Sequence, residues 1–313
     1  MRKFWKKGFT LLLGTLLAVS LTGCGRSADG TGSTAGGSGA ANIVNIGVTG
    51  SLVSFNPFVM DMSEMNHYSS GLMFLPLVEL DQNLNFVPML ADSITTEDNL
   101  TFTVHIDDAA TWSDGTPVTA ADVEYTVRRL CSPVVANPYM MYYVFEGVDD
   151  ETGFVEENAD SVAGIRIVDD KTITFTVKSP MSLISFENGY ARYMNILPKH
   201  VIEQFSEAEL TTNEWFSHPD VVSGPYMVTD FDPEHYVSYT ANTNYFKGAP
   251  KIEKLNFKIV EGSQILAGLK SGEIDVTHPT MSNIPETDYD SMEAFSNVTV
   301  SYAKPVTHQS VFI

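Results

Sequence analysis

Ala110-Thr111-Trp112-Ser113-Asp114-Gly115-Thr116-Pro117-Val118-Thr119-Ala120-Ala121-Asp122-Val123 is the stretch that decides the fold. Leu100, Phe102, Val104 and Ile106 alternate just before it, the period of a half-buried strand. A second strand is expected to end at Trp112, where Asp114-Gly115 turns the chain. Thr119 followed three residues later by Asp122 has the spacing of a capping box. Val123, Val127 and Leu130 then recur at helical spacing. Strand, turn and capped helix in so short a run predict a mixed α/β chain.

The same grammar extends outward. On the carboxyl side, Ile165–Val168 and Ile173–Val177 flank the polar turn Asp169-Asp170-Lys171 and predict a hairpin. Strands are expected near Tyr226–Thr229, Tyr236–Thr240, Leu255–Val260 and Ile274–Thr277, with a helix over Ser263–Lys270. On the amino side, Ile43–Val48 reads as a strand followed by a loop at Gly50-Ser51. Phe74–Leu90 reads as two short strands around Asp81-Gln82-Asn83. No internal repeat is present.

The first 42 residues have another character. Arg2, Lys3, Lys6 and Lys7 precede an apolar run from Phe9 to Leu21, and Leu21-Thr22-Gly23-Cys24 follows. A charged start, a short apolar core and small residues at the cut predict a secretory signal peptide over 1–23, with an uncleaved anchor as the other reading. The run is shorter than the roughly 20 apolar residues a spanning helix needs. Residues 24–42 are rich in Gly, Ser, Thr and Ala and are expected to form a flexible linker, because they cannot bury enough apolar surface to fold.

Losing four basic residues with the signal peptide takes the formal charge from -21 to -25. So acidic a chain argues against nucleic acid, where phosphates must be met by clustered Lys and Arg. Two cysteines, Cys24 and Cys131, give no disulfide framework. Cys131, at the end of the expected helix, reads as a small buried residue. The carboxylates between Asp149 and Asp160 lack the spacing of a calcium loop and read as a solvated acidic segment. Seven histidines are scattered with no H-E-x-x-H, and there is no G-x-S-x-G, P-loop or G-x-G-x-x-G. No enzyme, cofactor or metal site is therefore expected.

Leu21-Thr22-Gly23-Cys24 resembles the bacterial lipobox, which implies lipidation at Cys24. The Ala110–Val123 block resembles the signature of the peptide/nickel solute-binding proteins, the extracytoplasmic receptors of dipeptide, oligopeptide and nickel ABC importers. Ile196-Leu197-Pro198-Lys199-His200, Ser223-Gly224-Pro225-Tyr226, Asn244-Tyr245-Phe246-Lys247-Gly248-Ala249-Pro250 and Leu269-Lys270-Ser271-Gly272-Glu273-Ile274-Asp275 are similar to further landmarks in the family's order. His105 departs from the family's usual Lys or Arg.

The resemblance implies an α/β, two-lobed, periplasmic-binding-protein-like fold (type II, family 5) with an extra subdomain inserted in lobe I. Lobe I would span 43–260, with the insertion at about 73–178, and lobe II would begin at 261. The chain stops at Val311-Phe312-Ile313 in an apparent strand, so a C-terminal truncation within 261–313 is expected, with most of lobe II missing. The implied function is a substrate-binding lipoprotein that captures peptide by lobe closure and hands it to permease and ATPase subunits. It would sit outside the cytoplasmic membrane, held by lipid on Cys24, as a monomer. A receptor for nickel complexes or another small solute, and a peptide-sensing lipoprotein, are the alternatives. By position, Asp61, Met62 and Ser63 would pair with peptide backbone. Tyr139, Tyr142 and Tyr143 would add an aromatic contact surface, or else pack the subdomain.

Overall fold

The computed structural model describes residues 42–301, apart from 138, 140, 141, 157 and 158. The expected signal peptide and Cys24 lie outside the described residues, as does the linker apart from its last residue. In chain order the elements are β1 (Ile43–Val48), α1 (Glu64–Gly71), β2 (Val78–Leu80), β3 (Phe86–Pro88), β4 (Ala91–Thr95), β5 (Thr101–Ile106) and α2 (Ala120–Leu130). Then come β6 (Ile165–Ile167), β7 (Thr172–Thr176), α3 (Leu183–Phe186), a π-helical turn at Glu187–Ala191 and α4 (Lys199–Ile202). The last are β8 (Tyr226–Asp232), β9 (Tyr236–Ala241), β10 (Lys254–Ile259), α5 (Gly262–Ser271), β11 (Val276–Thr277) and α6 (Tyr289–Glu293). Among the described residues no helix is long and apolar enough to cross a membrane.

Two sheets organise these elements. A four-stranded antiparallel sheet runs β4-β5-β7-β6. Alternation in β5 works as expected, since Phe102, Val104 and Ile106 are fully buried. Each such side chain removed from water stabilises the fold by roughly 1.5–3 kcal/mol. On this sheet lies α2, with Val123, Val127 and Leu130 buried. Cys131, just past the helix, is buried too, and desolvation pushes its thiol up to about 12. The second sheet has the order β11-β1-β10-β9-β8. There β1 lies parallel to both β10 and β11, so chain segments more than 200 residues apart share its centre.

The landmark motifs turn out to be one another's partners. Buried Asp122 accepts the Thr119 N–H at 2.8 Å and its hydroxyl at 3.0 Å, which caps α2. Its other oxygen accepts the Lys199 N–H at 2.9 Å and so fixes the start of α4. Asp114 lies 2.9 Å from His200 Nε2. Asn244 donates to the Ser113 carbonyl at 2.8 Å, and Asn242 to that of Gly224 at 2.9 Å. A Cβ on Gly224 would stand 2.2 Å from the Leu72 carbonyl oxygen, so only glycine fits there.

One boundary moves. Lobe II was expected to begin near Glu261, yet α5 packs on β1 and β11 pairs with it. Ile274 wedges between Gly47 of β1 and Gly268 of α5, close enough that neither position has room for a Cβ. The chain therefore stays on the second sheet through Thr277, because a β-α-β crossover buries its helix against the sheet it spans.

Candidate functional site

Because β10, β1 and β11 are parallel, their carboxyl ends, Ile259, Val48 and Thr277, emerge at one edge. In open α/β sheets that edge is where ligands bind. Two segments cross there, 49–63 and 278–283. Thr49 N–H donates to the Met281 carbonyl at 2.9 Å, Asn283 Nδ2 to Thr49 Oγ1 at 3.0 Å, and Ser282 Oγ to the Gly47 carbonyl. Between them opens a pocket of about 330 Å³, lined among others by Gly50, Ser51, Asp61, Ser63, Glu64 and Thr280.

Two of the expected contact residues, Asp61 and Ser63, thus line this pocket, while half-buried Met62 packs against the core. Asp61 Oδ1 accepts the Ser63 N–H at 3.0 Å and Asn66 Nδ2 at 2.5 Å. Hydrogen bonding from Ser63 and then Asn66 holds the Asp61 carboxyl below the usual carboxylate range, against the opposing pull of burial. Fully buried Asn66 also accepts the Val53 N–H at 2.8 Å, so one amide fixes both ends of the loop. The backbone N–H and C=O groups of Asp61 and Met62 bond to no other described residue.

The three tyrosines divide. Tyr139 and Tyr143 are 47 % and 46 % exposed and do not line the pocket. Tyr142 is 1 % exposed, stacked on Phe145 at 5.5 Å and set against Tyr190 at 6.2 Å. It is a core residue rather than part of a contact surface, and burial pushes its phenol well above the usual range. Asn137 joins this region to the first loop, donating to the carbonyls of Pro57 at 3.0 Å and Phe58 at 2.8 Å.

Sequence reading missed the residues beside the pocket. Thr280 Oγ1 donates to Glu64 Oε2 at 3.0 Å, and Tyr68 lies one helical turn along α1 from Glu64. From Tyr68 a column of rings runs both ways: His278 at 4.5 Å on one side, His67 at 5.0 Å on the other, then Tyr193 5.0 Å from His67. His67 Nε2 lies 3.0 Å from Glu79, which also accepts Arg192 Nε. Burial draws the Glu79 carboxyl upward, but His67 and Arg192 together leave it below its usual range. Burial lowers the His278 imidazole, partly offset by Glu64. These residues come from four separate segments, so no local spacing reveals them.

Comparison with known proteins gives this arrangement a class. The chain matches the bacterial extracellular solute-binding proteins, family 5 Middle, over residues 85–312, and it belongs to that family. Among curated proteins it is 29 % identical over 222 residues to a putative ABC transporter peptide-binding protein of Brucella ovis, covering 70 % of this chain and 38 % of that one. It is 24 % identical over 290 residues to the oligopeptide-binding protein AppA of Bacillus subtilis, covering 91 % and 49 %. The structure of AppA in complex with a nonapeptide superposes with a TM-score of 0.67 over 82 % of this chain and 47 % of that one, at 24 % identity. The substrate-binding protein CtaP of Listeria monocytogenes gives 0.63 over 81 % and 46 %, at 28 % identity. The fold is therefore α/β, of the two-lobed periplasmic-binding type. The chain spans about half, or less, of the length of the curated relatives it matches.

Proposed function

We propose that this chain is lobe I and the start of lobe II of a peptide receptor serving an ABC importer. The observation that carries the reading is the segment Asp61–Met62 beside the pocket, whose backbone N–H and C=O groups have no partner among the described residues. An extended peptide can pair with such a segment through its own backbone, which tolerates many side chains. The names of the curated relatives, ABC transporter peptide-binding and oligopeptide-binding proteins, support the same ligand class.

In this reading lobe I runs from 43 to Thr277 with the subdomain of about 73–178 inserted, and lobe II follows. Ligand favours the closed form, because only that form touches it from both sides. Lipid on Cys24 would hold the receptor outside the cytoplasmic membrane, next to the permease to which it delivers peptide. The test is to purify the mature full-length protein and identify what accompanies it by mass spectrometry. Mixed short peptides are expected; a metal complex or sugar without peptide overturns the reading.

A further inference from the structure

We propose that Arg192 is a positioning residue for ligand capture, holding Tyr68 and Tyr193 in fixed orientation at the edge of the cleft; the inference rests on the peptide-receptor reading above. Arg192 is only 8 % exposed. Its Nη2 donates to the Tyr68 hydroxyl at 3.5 Å and its Nη1 to the Tyr193 hydroxyl at 3.4 Å. The guanidinium also lies over the Tyr193 ring, 5.3 Å from its centroid. Glu79 fixes Nε from behind, and His67, bound to the same carboxylate, fills the space between the two phenol rings. A planar guanidinium suits this task because its five donors diverge in a rigid fork, which an ammonium does not have.

Stability does not account for the group. Taking two charges out of water costs several kcal/mol per ion, and well-packed apolar side chains often serve a fold equally well in their place. What an ion pair supplies and an apolar cluster does not is directed donors. Here they meet two hydroxyls from different chain segments, α1 and the stretch after the π-helical turn. Tyr68 touches His278 and lies beside Glu64 and Thr280, both of which line the pocket, so the ring that Arg192 orients backs that lining. Preorganised rings lose less freedom when they close on a ligand.

The test uses the full-length mature protein and a fluorescein-labelled random hexapeptide library, with anisotropy giving affinity and thermal unfolding giving Tm. Wild type, Arg192→Lys, Arg192→Met and the double variant Arg192→Met/Glu79→Gln are compared, the last leaving no unpaired buried charge. The double variant is expected to keep a Tm within a few degrees of wild type while binding the library about tenfold or more weakly. Arg192→Lys is expected to fall between, since an ammonium keeps the charge but cannot reach both hydroxyls. Equal affinity in the double variant overturns the proposal, as does a loss of binding that tracks Tm in every variant. If wild type itself fails to bind the library, the peptide-receptor reading falls and takes this inference with it.

Discussion

The carboxylate of Asp275 accepts both the backbone N–H of Asn45, at 2.8 Å, and its side-chain amide, at 3.0 Å, across 230 residues of chain. With Asp275 N–H donating back to the Asn45 carbonyl at 2.9 Å, the start of the edge strand β11 is fastened to β1. Replacing Asp275 by Ala removes the two charge-assisted bonds at an exposed site. The expected loss is about 1 kcal/mol of stability, toward the low end for such bonds because of that exposure. A urea titration reads it as a lower midpoint with an unchanged slope.

Asn66 is a more sensitive position. Its amide accepts from the Val53 and Ser54 N–H groups and donates to Asp61, all from full burial. Asn66→Ala removes three hydrogen bonds to partly exposed partners from a fully buried position, with an expected cost of about 1–3 kcal/mol. Peptide affinity should fall further than stability alone explains, because the Asp61–Met62 segment loses its anchor. Measuring affinity well below Tm separates the two effects.

Stability should depend on pH in a direction set by the carboxylates. Asp61, Asp81, Asp98, Asp114, Asp149 and Asp169 are all lowered by hydrogen bonds in the fold. For a lowered acid, stabilisation is present above the unfolded value near 4 and is lost as pH falls through the folded value. Asp122 runs the other way: burial raises it, so its ionised form weighs against the fold once pH rises through the folded value. Urea midpoints are therefore expected to drop steeply below pH 4, whereas Asp122→Asn should flatten the separate fall in stability that the buried Asp122 carboxyl produces as pH rises from about 4 toward its folded value.

Anchoring is tested separately. Cys24→Ala is expected to move the protein from the membrane to the soluble extracytoplasmic fraction, read by fractionation and blotting. Unchanged membrane retention counts against lipidation.

Much of the local structure could be read from the residues. The alternation of Phe102, Val104 and Ile106 gave a strand with those side chains inward, and Thr119 with Asp122 gave the cap of α2. By contrast α1 was invisible, because its buried positions include Asn66, His67, Ser69 and Ser70 and so carry no apolar stripe. Its start is written only in the Ser63 hydroxyl, which accepts the Asn66 N–H at 3.4 Å.

By itself, then, the sequence determined the α/β class, most element positions and the family landmarks. These are local properties, set by side-chain period, turn chemistry and caps over a few neighbours. Tertiary structure decided what depends on distant chain. It put Tyr142 in the core and Tyr143 in solvent, gave β11 to the sheet of β1, and gathered His67, Tyr68, Arg192, Tyr193 and His278 into one cluster. Those choices follow from which segments can bury surface and satisfy polar groups together, and periodicity along the chain does not contain that information.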